Sequence, residues 1–382
     1  MQNKLKLLGL LMLILPIFTL SEQQTDFKKS LKINGRIQYD YEFLKRSNSD
    51  QWLNGSEFRR IHLSAAGFVS PSFKYKVEFD FSTGKIGFRY VYIKYVNPKI
   101  GSIAIGSIPE PTGLAMLTSS NYLAFLERPM LTSLQNFRWG SGFLYENYNL
   151  LEGKVGLQMS LTNNGTNTQG FKDVNLEVGE NFTARLFYRP YSDNSTHTFL
   201  HIGLNYAQRP YQDLKFRPEN HLGDKYHYFF ADATDRQIYG FELAATYQSF
   251  YIQSEYKSLE AVNSIDKNYN LQSYYIGTGY FLTGEHRPYK NGAFRRVKPI
   301  KDIDHGGLGA FELAFRYSNM TVSNDVLNIN PIMPSQIDNF TFGLNWYLTS
   351  HVRLMYNYVL TNDQNNMLGD LNGHLFRLQL DF

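Results

Sequence analysis

The sequence predicts an all-β protein, a transmembrane antiparallel β-barrel of about sixteen strands whose long outer loops include one that folds into the lumen. Three observations support this prediction. Apolar residues repeat with a period of two from residue 31 to the C-terminus. The polar faces of these repeats carry full charges, which suit a water-filled lumen and not a dry core. The chain also ends on Phe382, at the end of an alternating segment.

The first strand shows the pattern clearly. One face carries Leu31, Ile33, Ile37, Tyr39, Tyr41 and Phe43, and the other carries Lys32, Asn34, Arg36, Gln38, Asp40 and Glu42. Further strands are predicted at 57–69, 73–82, 88–96, 100–108, 138–148, 153–161, 180–189, 197–207, 236–247, 250–259, 268–282, 306–318, 338–348, 351–361 and 373–382. With the first strand, these give an even number, as a single-chain bacterial barrel requires.

The predicted connections alternate between short and long. Tight turns fall at 70–72, 97–99 and 248–249, whereas long connections fall at 44–56, 109–137, 162–179, 208–235 and 319–337. Barrels of this class have short periplasmic turns and longer outer loops. The connection 283–305 is long yet falls on the turn side, so either a periplasmic excursion exists there or the strand count is wrong.

The N-terminus resembles an export signal. Lys4 and Lys6 precede an apolar stretch from 7 to 20, and cleavage is expected after Ser21, which leaves 22–382 as the barrel domain. A retained helical anchor is disfavoured, because the stretch is shorter than the roughly 20 residues that a spanning helix needs. Cleavage reduces the net charge from +4 to +2, which is too small to indicate a nucleic-acid partner. The predicted location is the bacterial outer membrane.

No catalytic, cofactor or metal motif is evident. The chain has no cysteine, and it contains neither a zinc-protease motif nor a nucleophile elbow nor a phosphate-cradling loop. Two alternatives to a channel remain open. One is a barrel hydrolase that uses His62 and Ser64 on one lumen face. The other is a structural or adhesive barrel whose long loops plug the pore.

Several blocks resemble one known family. They are Thr-Ser-Ser at 118–120, Phe-Leu-Glu-Arg-Pro at 125–129, and the segments 282–289, 311–318, 343–348 and 375–382. Their order and spacing are similar to those of the phosphate-selective porin O and P family along the whole mature chain. The resemblance implies a sixteen-stranded barrel, usually a homotrimer, that passes small solutes passively and in some members favours phosphate or polyphosphate. Membrane lipids and lipopolysaccharide would surround it.

The candidate pore-lining residues follow from the strand faces and from the loop 109–137, which we expect to narrow the lumen. The loop contributes Arg128, Glu127 and Glu110, and the strands contribute Lys74, Lys76, Arg36, Arg60, Arg185, Lys257 and Arg316. Arg128 and the two lysines are expected to govern ion preference.

The predicted lumen charge is weakly positive. Thirteen basic residues face the lumen, namely Lys32, Arg36, Arg60, Lys74, Lys76, Lys94, Lys154, Arg185, Arg189, Lys257, Arg316, Arg353 and Arg377. Nine acids accompany them, namely Asp40, Glu42, Glu78, Asp80, Glu146, Glu242, Glu255, Glu312 and Asp381. The excess predicts a diffusion channel for small anionic or neutral solutes, with mild anion preference and no tight site. Alternatively, these charges only solvate the wall and pair with one another.

Overall fold

In the described part of the chain, sixteen of twenty strands close into one antiparallel barrel. The computed structural model describes residues 27–135, 139–163, 181–210, 212–230, 233–263, 268–329, 333–364 and 369–382. The barrel strands are β1 (Lys32–Arg46), β2 (Trp52–Ser70), β3 (Phe73–Asp80), β4 (Gly87–Tyr95), β5 (Ser102–Pro109), β6 (Trp139–Asn149), β7 (Val155–Asn163), β8 (Asn181–Asp193), β9 (Thr198–Pro210), β12 (Ala233–Tyr247), β13 (Phe250–Asn263), β14 (Asn268–Phe281), β17 (Ala310–Val322), β18 (Gln336–Tyr347), β19 (Val352–Asp363) and β20 (Leu371–Asp381).

The remaining elements are short. Two hairpins form separate sheets, one from β10 (Leu214–Phe216) and β11 (Tyr226–Tyr228), the other from β15 (Tyr289–Lys290) and β16 (Ala293–Phe294). Helical turns cover Leu114–Leu117, Ser120–Tyr122, Met130–Gln135, Leu150–Gly153, Ile303–His305 and Asn324–Ile329. Among the described residues, no helix combines the length and apolar character needed to cross a membrane.

The predicted strand map is confirmed, with small shifts at the ends. Each of the sixteen predicted segments corresponds to one barrel strand; the second begins earlier, at Trp52, and the thirteenth begins later, at Ala310. The predicted signal peptide 1–21 and the greater part of the loop 162–179 lie outside the described residues. The long connection at 283–305 joins β14 to β17 on the turn side, so the strand count holds and the excursion exists.

The barrel is apolar outside and charged inside. Ile93, Leu204 and Ile105 point outward, and Ile93 is 61% exposed. Asp40, Glu42 and many other charged or polar side chains lie in the interior, and Asp40 is only 1% exposed. Alternation with a period of two therefore separates the two environments on most of the barrel strands, as the sequence predicted.

The last strand pairs with the first, so the sheet has no open edge. The β1–β20 register runs from Arg36 opposite Asp381 to Arg46 opposite Leu371. Beyond it, the backbone N–H of Gly35 donates to the Phe382 carbonyl at 2.9 Å, and the Phe382 N–H donates back at 3.1 Å. Closure satisfies the backbone groups that an edge strand would leave unpaired, which a bilayer does not tolerate.

The loop after β5 folds into the lumen, as predicted, and residues 110–135 are named the constriction loop here. Wall side chains hold its backbone: Arg353 donates to the Leu123 carbonyl at 2.8 Å, and Arg377 donates to the Leu126 carbonyl at 2.7 Å. The Asn357 side chain accepts the Leu126 N–H at 2.9 Å. The loop is therefore fixed along the wall formed by β17 to β20.

A second insertion occupies part of the lumen beside β12 to β18. Residues 212–230, the outer insert, carry the β10–β11 hairpin. Its Leu214, Phe216, Tyr226 and Tyr228 are buried in one apolar cluster with residues of the constriction loop and of β12 to β18. A dry core therefore occupies part of a lumen that would otherwise hold water.

A third insertion enters from the turn side. Residues 282–309, the inner insert, carry the β15–β16 hairpin. Phe294 is fully buried against Phe199, Tyr289 and Leu114, and Leu114 belongs to the constriction loop. The Tyr289 hydroxyl is 2.6 Å from His201 Nδ1, and Arg185 donates to the Gly292 carbonyl at 2.9 Å. The inner insert thus closes the β8–β14 side of the lumen.

Phe294 is expected to anchor the inner insert. Phe294→Ala removes a buried ring, a change that costs about 3–5 kcal/mol in well-packed cores. We expect trypsin to cut the native barrel at Lys290, Arg295 and Arg296 at a rate that is higher by roughly tenfold or more. Leu308→Ala is the matched control, because Leu308 lies in the same insert and is 75% exposed. Equal cleavage of the two variants would contradict this anchoring role.

Candidate functional site

A cavity of about 310 Å³ lies between the constriction loop and the wall formed by β1 to β4. Six arginines line it, namely Arg36, Arg59, Arg60, Arg89, Arg128 and Arg217. Three glutamates accompany them, namely Glu78, Glu127 and Glu219. We name it the arginine cavity. The lining carries an excess of three positive charges if its histidines are neutral, so the cavity attracts anions.

A β-bulge brings two adjacent arginines into this cavity. Along the β1–β2 pair, Gln38 lies opposite Arg60 and Tyr39 lies opposite Phe58, so Arg59 is an extra residue in β2. Phe58 stays outside and His62 stays inside, while Arg59 and Arg60 both line the cavity. A bulge redirects side chains in this way because two residues of one strand face one residue of its partner.

The β3–β4 pair contains a second bulge of this kind. The β3–β4 register shifts between Val77 and Phe79, whose partners are Val91 and Phe88. Arg89 and Tyr90 lie between those partners, and both line the cavity. The two bulges therefore give one sector of the wall more inward-facing side chains than regular alternation would provide.

Glu127 of the constriction loop joins three arginines from two strands, β2 and β20. It accepts hydrogen bonds from Arg59 at 2.8 and 3.1 Å, and it lies 3.3 Å from Arg377 and 3.7 Å from Arg60. Burial alone would raise the pKa of Glu127, but the charges of Arg59, Arg60 and Arg377 outweigh burial and hold this pKa well below its usual range. Glu127 therefore remains ionised and offsets part of the positive charge.

Two further arginines contact uncharged groups of the constriction loop. Arg36 donates to the Ser120 hydroxyl at 2.5 Å, and its distance to Glu78 is 3.9 Å. Arg128 donates to the carbonyl oxygens of Ala115 and Thr118 at 3.0 and 2.7 Å. These contacts orient the two guanidinium groups that line the cavity.

The structure places the predicted pore-lining residues in three groups. Arg128, Glu127, Arg36 and Arg60 line the arginine cavity. Lys74 and Lys76 lie next to this sector on β3, and Lys76 forms a 2.6 Å ion pair with Glu78. The others, Glu110, Arg185, Lys257 and Arg316, are buried outside the cavity lining. The assignment of ion preference to these residues stays a prediction.

The four buried residues have partners inside the protein. Glu110 pairs with Arg209, and Arg316 pairs with Glu219. Arg185 binds Glu242 at 2.5 Å beneath the inner insert. Lys257 donates to the Thr112 carbonyl at 2.5 Å. These four charged groups therefore contact partners within the protein and are absent from the lining of the arginine cavity.

The geometry does not form the nucleophile and base that a hydrolase would need. His62 Nδ1 lies 3.0 Å from Glu78 and its Nε2 lies 3.3 Å from Asp80. The Ser64 hydroxyl contacts the Asn34 carbonyl at 3.4 Å. Within the part of the chain that the structure describes, no group of three or more His, Asp or Glu side chains is placed to hold a metal ion.

Sequence reasoning missed Arg59, Arg89 and Arg217. Regular alternation assigns only one residue of each adjacent pair to the lumen, so a period of two that includes Arg60 excludes Arg59. The sequence does show where alternation is irregular. The adjacent charged residues Arg59 and Arg60, and the poor alternation around Arg89, mark the two bulges. Arg217 lies in the outer insert, whose position depends on contacts across the barrel.

Comparisons with known proteins agree with this architecture. The family model described as phosphate-selective porin O and P matches residues 31–382. Porin O of Pseudomonas aeruginosa is 26% identical over 413 residues, which cover 94% of this chain and 90% of that protein. Among solved structures, an anion-selective porin from Comamonas acidovorans has a TM-score of 0.61 at 13% identity, covering 93% of this chain and 100% of that one. The outer-membrane channel DcaP of Acinetobacter baumannii has a TM-score of 0.59 at 10% identity, and the match covers 95% of this chain and 100% of that one. These two structures support the fold.

Replacing Glu127 by Gln tests the electrostatics of the cavity. Glu127→Gln keeps the shape but removes one negative charge, so the excess of positive charge in the lining rises from three to four. We expect the reversal potential of the reconstituted protein under a KCl gradient to move further toward the chloride equilibrium potential. Glu152→Gln removes the same charge from an exposed turn and should change nothing. An unchanged reversal potential for Glu127→Gln would show that this carboxylate does not act on passing ions.

Proposed function

Because this chain belongs to the phosphate-selective porin O and P family and is a passive outer-membrane channel, we propose that it favours small anions, phosphate among them. The arginine cavity is the observation that supports this preference. Guanidinium groups bind phosphate through paired, charge-assisted hydrogen bonds, and six of them line one cavity beside the constriction loop. Fixed positive charge in a narrow, protein-walled passage raises the local concentration of anions.

The expected preference is mild. A conducting site must attract its ion and also release it. Glu127 and Glu78 lie within reach of Arg59 and Arg36 and weaken the field that an anion meets. The arginine cavity therefore acts as a selective passage for anions and does not retain them, and neutral hydrophilic solutes also pass. The protein functions as a channel and not as an enzyme.

The passage runs along one side of the barrel. The outer insert fills the lumen with an apolar cluster next to β9–β18, and the inner insert closes the β8–β14 side. The arginine cavity lies against β1 to β4. Solutes that cross the barrel are therefore directed past the two bulges, where the arginines are concentrated.

The chain is proposed to assemble as a homotrimer through the wall of β3, β4 and β5. These strands contain 8, 9 and 8 residues, against 19 in β2. Eight residues tilted by about 45° reach only about 19 Å along the membrane normal, less than the roughly 25 Å apolar band of such barrels. Exposed aliphatic side chains cover this low wall, among them Ile93, Ile103 and Ile105. In a trimer, a neighbouring copy would cover the part of the apolar band that these short strands do not span.

Export and membrane surroundings complete the proposal. Residues 1–21 act as a signal peptide that is removed after Ser21, since a short positive segment and a 14-residue apolar run precede that point. The mature barrel then lies among membrane lipids and lipopolysaccharide. The outward-facing apolar surface that includes Leu204 and Ile276 supports direct contact with acyl chains.

The double variant Arg36→Gln/Arg128→Gln tests the proposed selectivity. Both arginines line the cavity and donate hydrogen bonds to uncharged groups of the constriction loop, and Glu78 retains Lys76 and His62 as partners. The excess of positive charge in the lining falls from three to one, so we expect anion preference under a KCl gradient to fall markedly. Block of the KCl current by added phosphate should weaken by roughly tenfold, as expected when charge-assisted hydrogen bonds are lost.

Lys85→Gln/Lys99→Gln is the matched control, because it removes two positive charges from exposed loops. It should keep the wild-type reversal potential and the wild-type sensitivity to phosphate. Wild-type protein that shows no anion preference would contradict the proposed function. If the double arginine variant keeps the wild-type selectivity, the arginine cavity is not the source of the anion preference.

The trimer is tested by steric disruption of the low wall. Ile105→Trp places a large ring where a neighbouring copy would pack, so the fraction of unheated oligomer on a gel should fall sharply. Ile276→Trp is the control, because Ile276 faces outward on β14 with a similar exposure of 44% against 54%. A position that faces lipid accommodates either the isoleucine side chain or the tryptophan ring. Equal oligomer fractions would place the interface elsewhere or exclude the assembly.

A further inference from the structure

The arginine cavity has an apolar wall that an inorganic anion does not need. Tyr90 and Trp139 line it, and Met116, Pro129 and Met130 of the constriction loop complete this wall. A hydrated inorganic phosphate gains nothing from aromatic or thioether groups. The arginine cavity is thus amphipathic, with guanidinium groups and an apolar wall around the same space.

The two aromatic rings form one platform. Their centroids are 5.8 Å apart and the rings are nearly perpendicular, at 88°. Tyr90 reaches the cavity through the β3–β4 bulge, and Trp139 begins β6 beside it. Packing of this kind fixes the orientation of both rings and presents a preformed apolar surface.

Cations lie against the same platform. The Arg89 guanidinium carbon is 4.5 Å from the centre of the Trp139 ring, and Lys76 Nζ is 4.1 Å from the centre of the Tyr90 ring. Positive charge held beside an aromatic surface suits a ligand whose anionic group is attached to a planar or apolar body. The cavity volume, about 310 Å³, lies at the lower end of the range for small-molecule sites, about 300–1,000 Å³.

From this arrangement we infer that the channel recognises small organic phosphate monoesters, with the phosphate on the arginines and the organic group on the Tyr90–Trp139 platform. The inference rests on the proposed anion preference and names the substrate class of the same site. The polarisable Met116 side chain in the same wall suits organic groups of different shape. The cavity therefore favours esters with an aromatic or apolar substituent over inorganic phosphate.

The test compares two esters of equal charge. Phenyl phosphate and methyl phosphate are added to the wild-type channel in a planar bilayer, and the concentration that halves the KCl current is measured for each. Phenyl phosphate should block at a concentration lower by roughly threefold to tenfold, the range expected for one aromatic contact. Trp139→Leu and, independently, Tyr90→Leu should reduce this ratio to near one and leave block by methyl phosphate unchanged.

Trp52→Leu serves as the control, because Trp52 is exposed on the outer surface of β2. It should preserve the wild-type ratio. Equal block by the two esters in the wild type would overturn the inference, while block by both would leave the proposed anion preference intact. Absence of block by either ester would also overturn the inference, and the reversal potential would then decide whether the anion preference itself survives. A ratio that persists in both platform variants would place the aromatic contact elsewhere.

Discussion

The interior of this barrel depends on the pairing of charges that the two-residue period places in the lumen. A buried guanidinium or carboxylate without a partner is destabilising by several kcal/mol. The protein meets this constraint with two kinds of ion pair. Some join two wall residues, such as Arg377 with Asp40 at 2.6 Å. Others join the wall to an inserted segment, such as Arg316 with Glu219. The pairs that satisfy the lumen charges therefore also hold the constriction loop and the inserts in place.

Glu219 shows how one carboxylate organises a whole segment. It lies in the outer insert, and its oxygens accept hydrogen bonds from Arg316, from Ser318 at 2.5 Å and from Thr341 at 2.8 Å. It also accepts the backbone N–H of Met130 at 3.3 Å. A single side chain thus connects the outer insert, the barrel wall and the constriction loop. Charges committed to such networks are unavailable to solutes, which is why the number of lumen charges overstates the charge that a passing ion meets.

The positive charges that line the arginine cavity are concentrated where the sheet is irregular. Two bulges on neighbouring strand pairs direct Arg59, Arg60, Arg89 and Tyr90 into the same sector. The inserts pack against other parts of the wall, and the irregular sector borders the arginine cavity. A departure from ideal strand geometry therefore brings together positive charge, an aromatic platform and the passage in one place.

The sequence by itself determined the architecture, because barrel formation depends on a local pattern. Alternation on each strand, from Ile33 to Leu380, fixed the strand number, the inside and outside faces, and the closure of β20 on β1. The long connection 109–137 also predicted a loop that enters the lumen with Arg128 and Glu127. Tertiary structure alone decided which lumen charges face a solute. The bulge that admits Arg59, the burial of Arg185 and Lys257, and the position of Arg217 depend on strand register and on contacts across the barrel, and a local period of two carries no information about either.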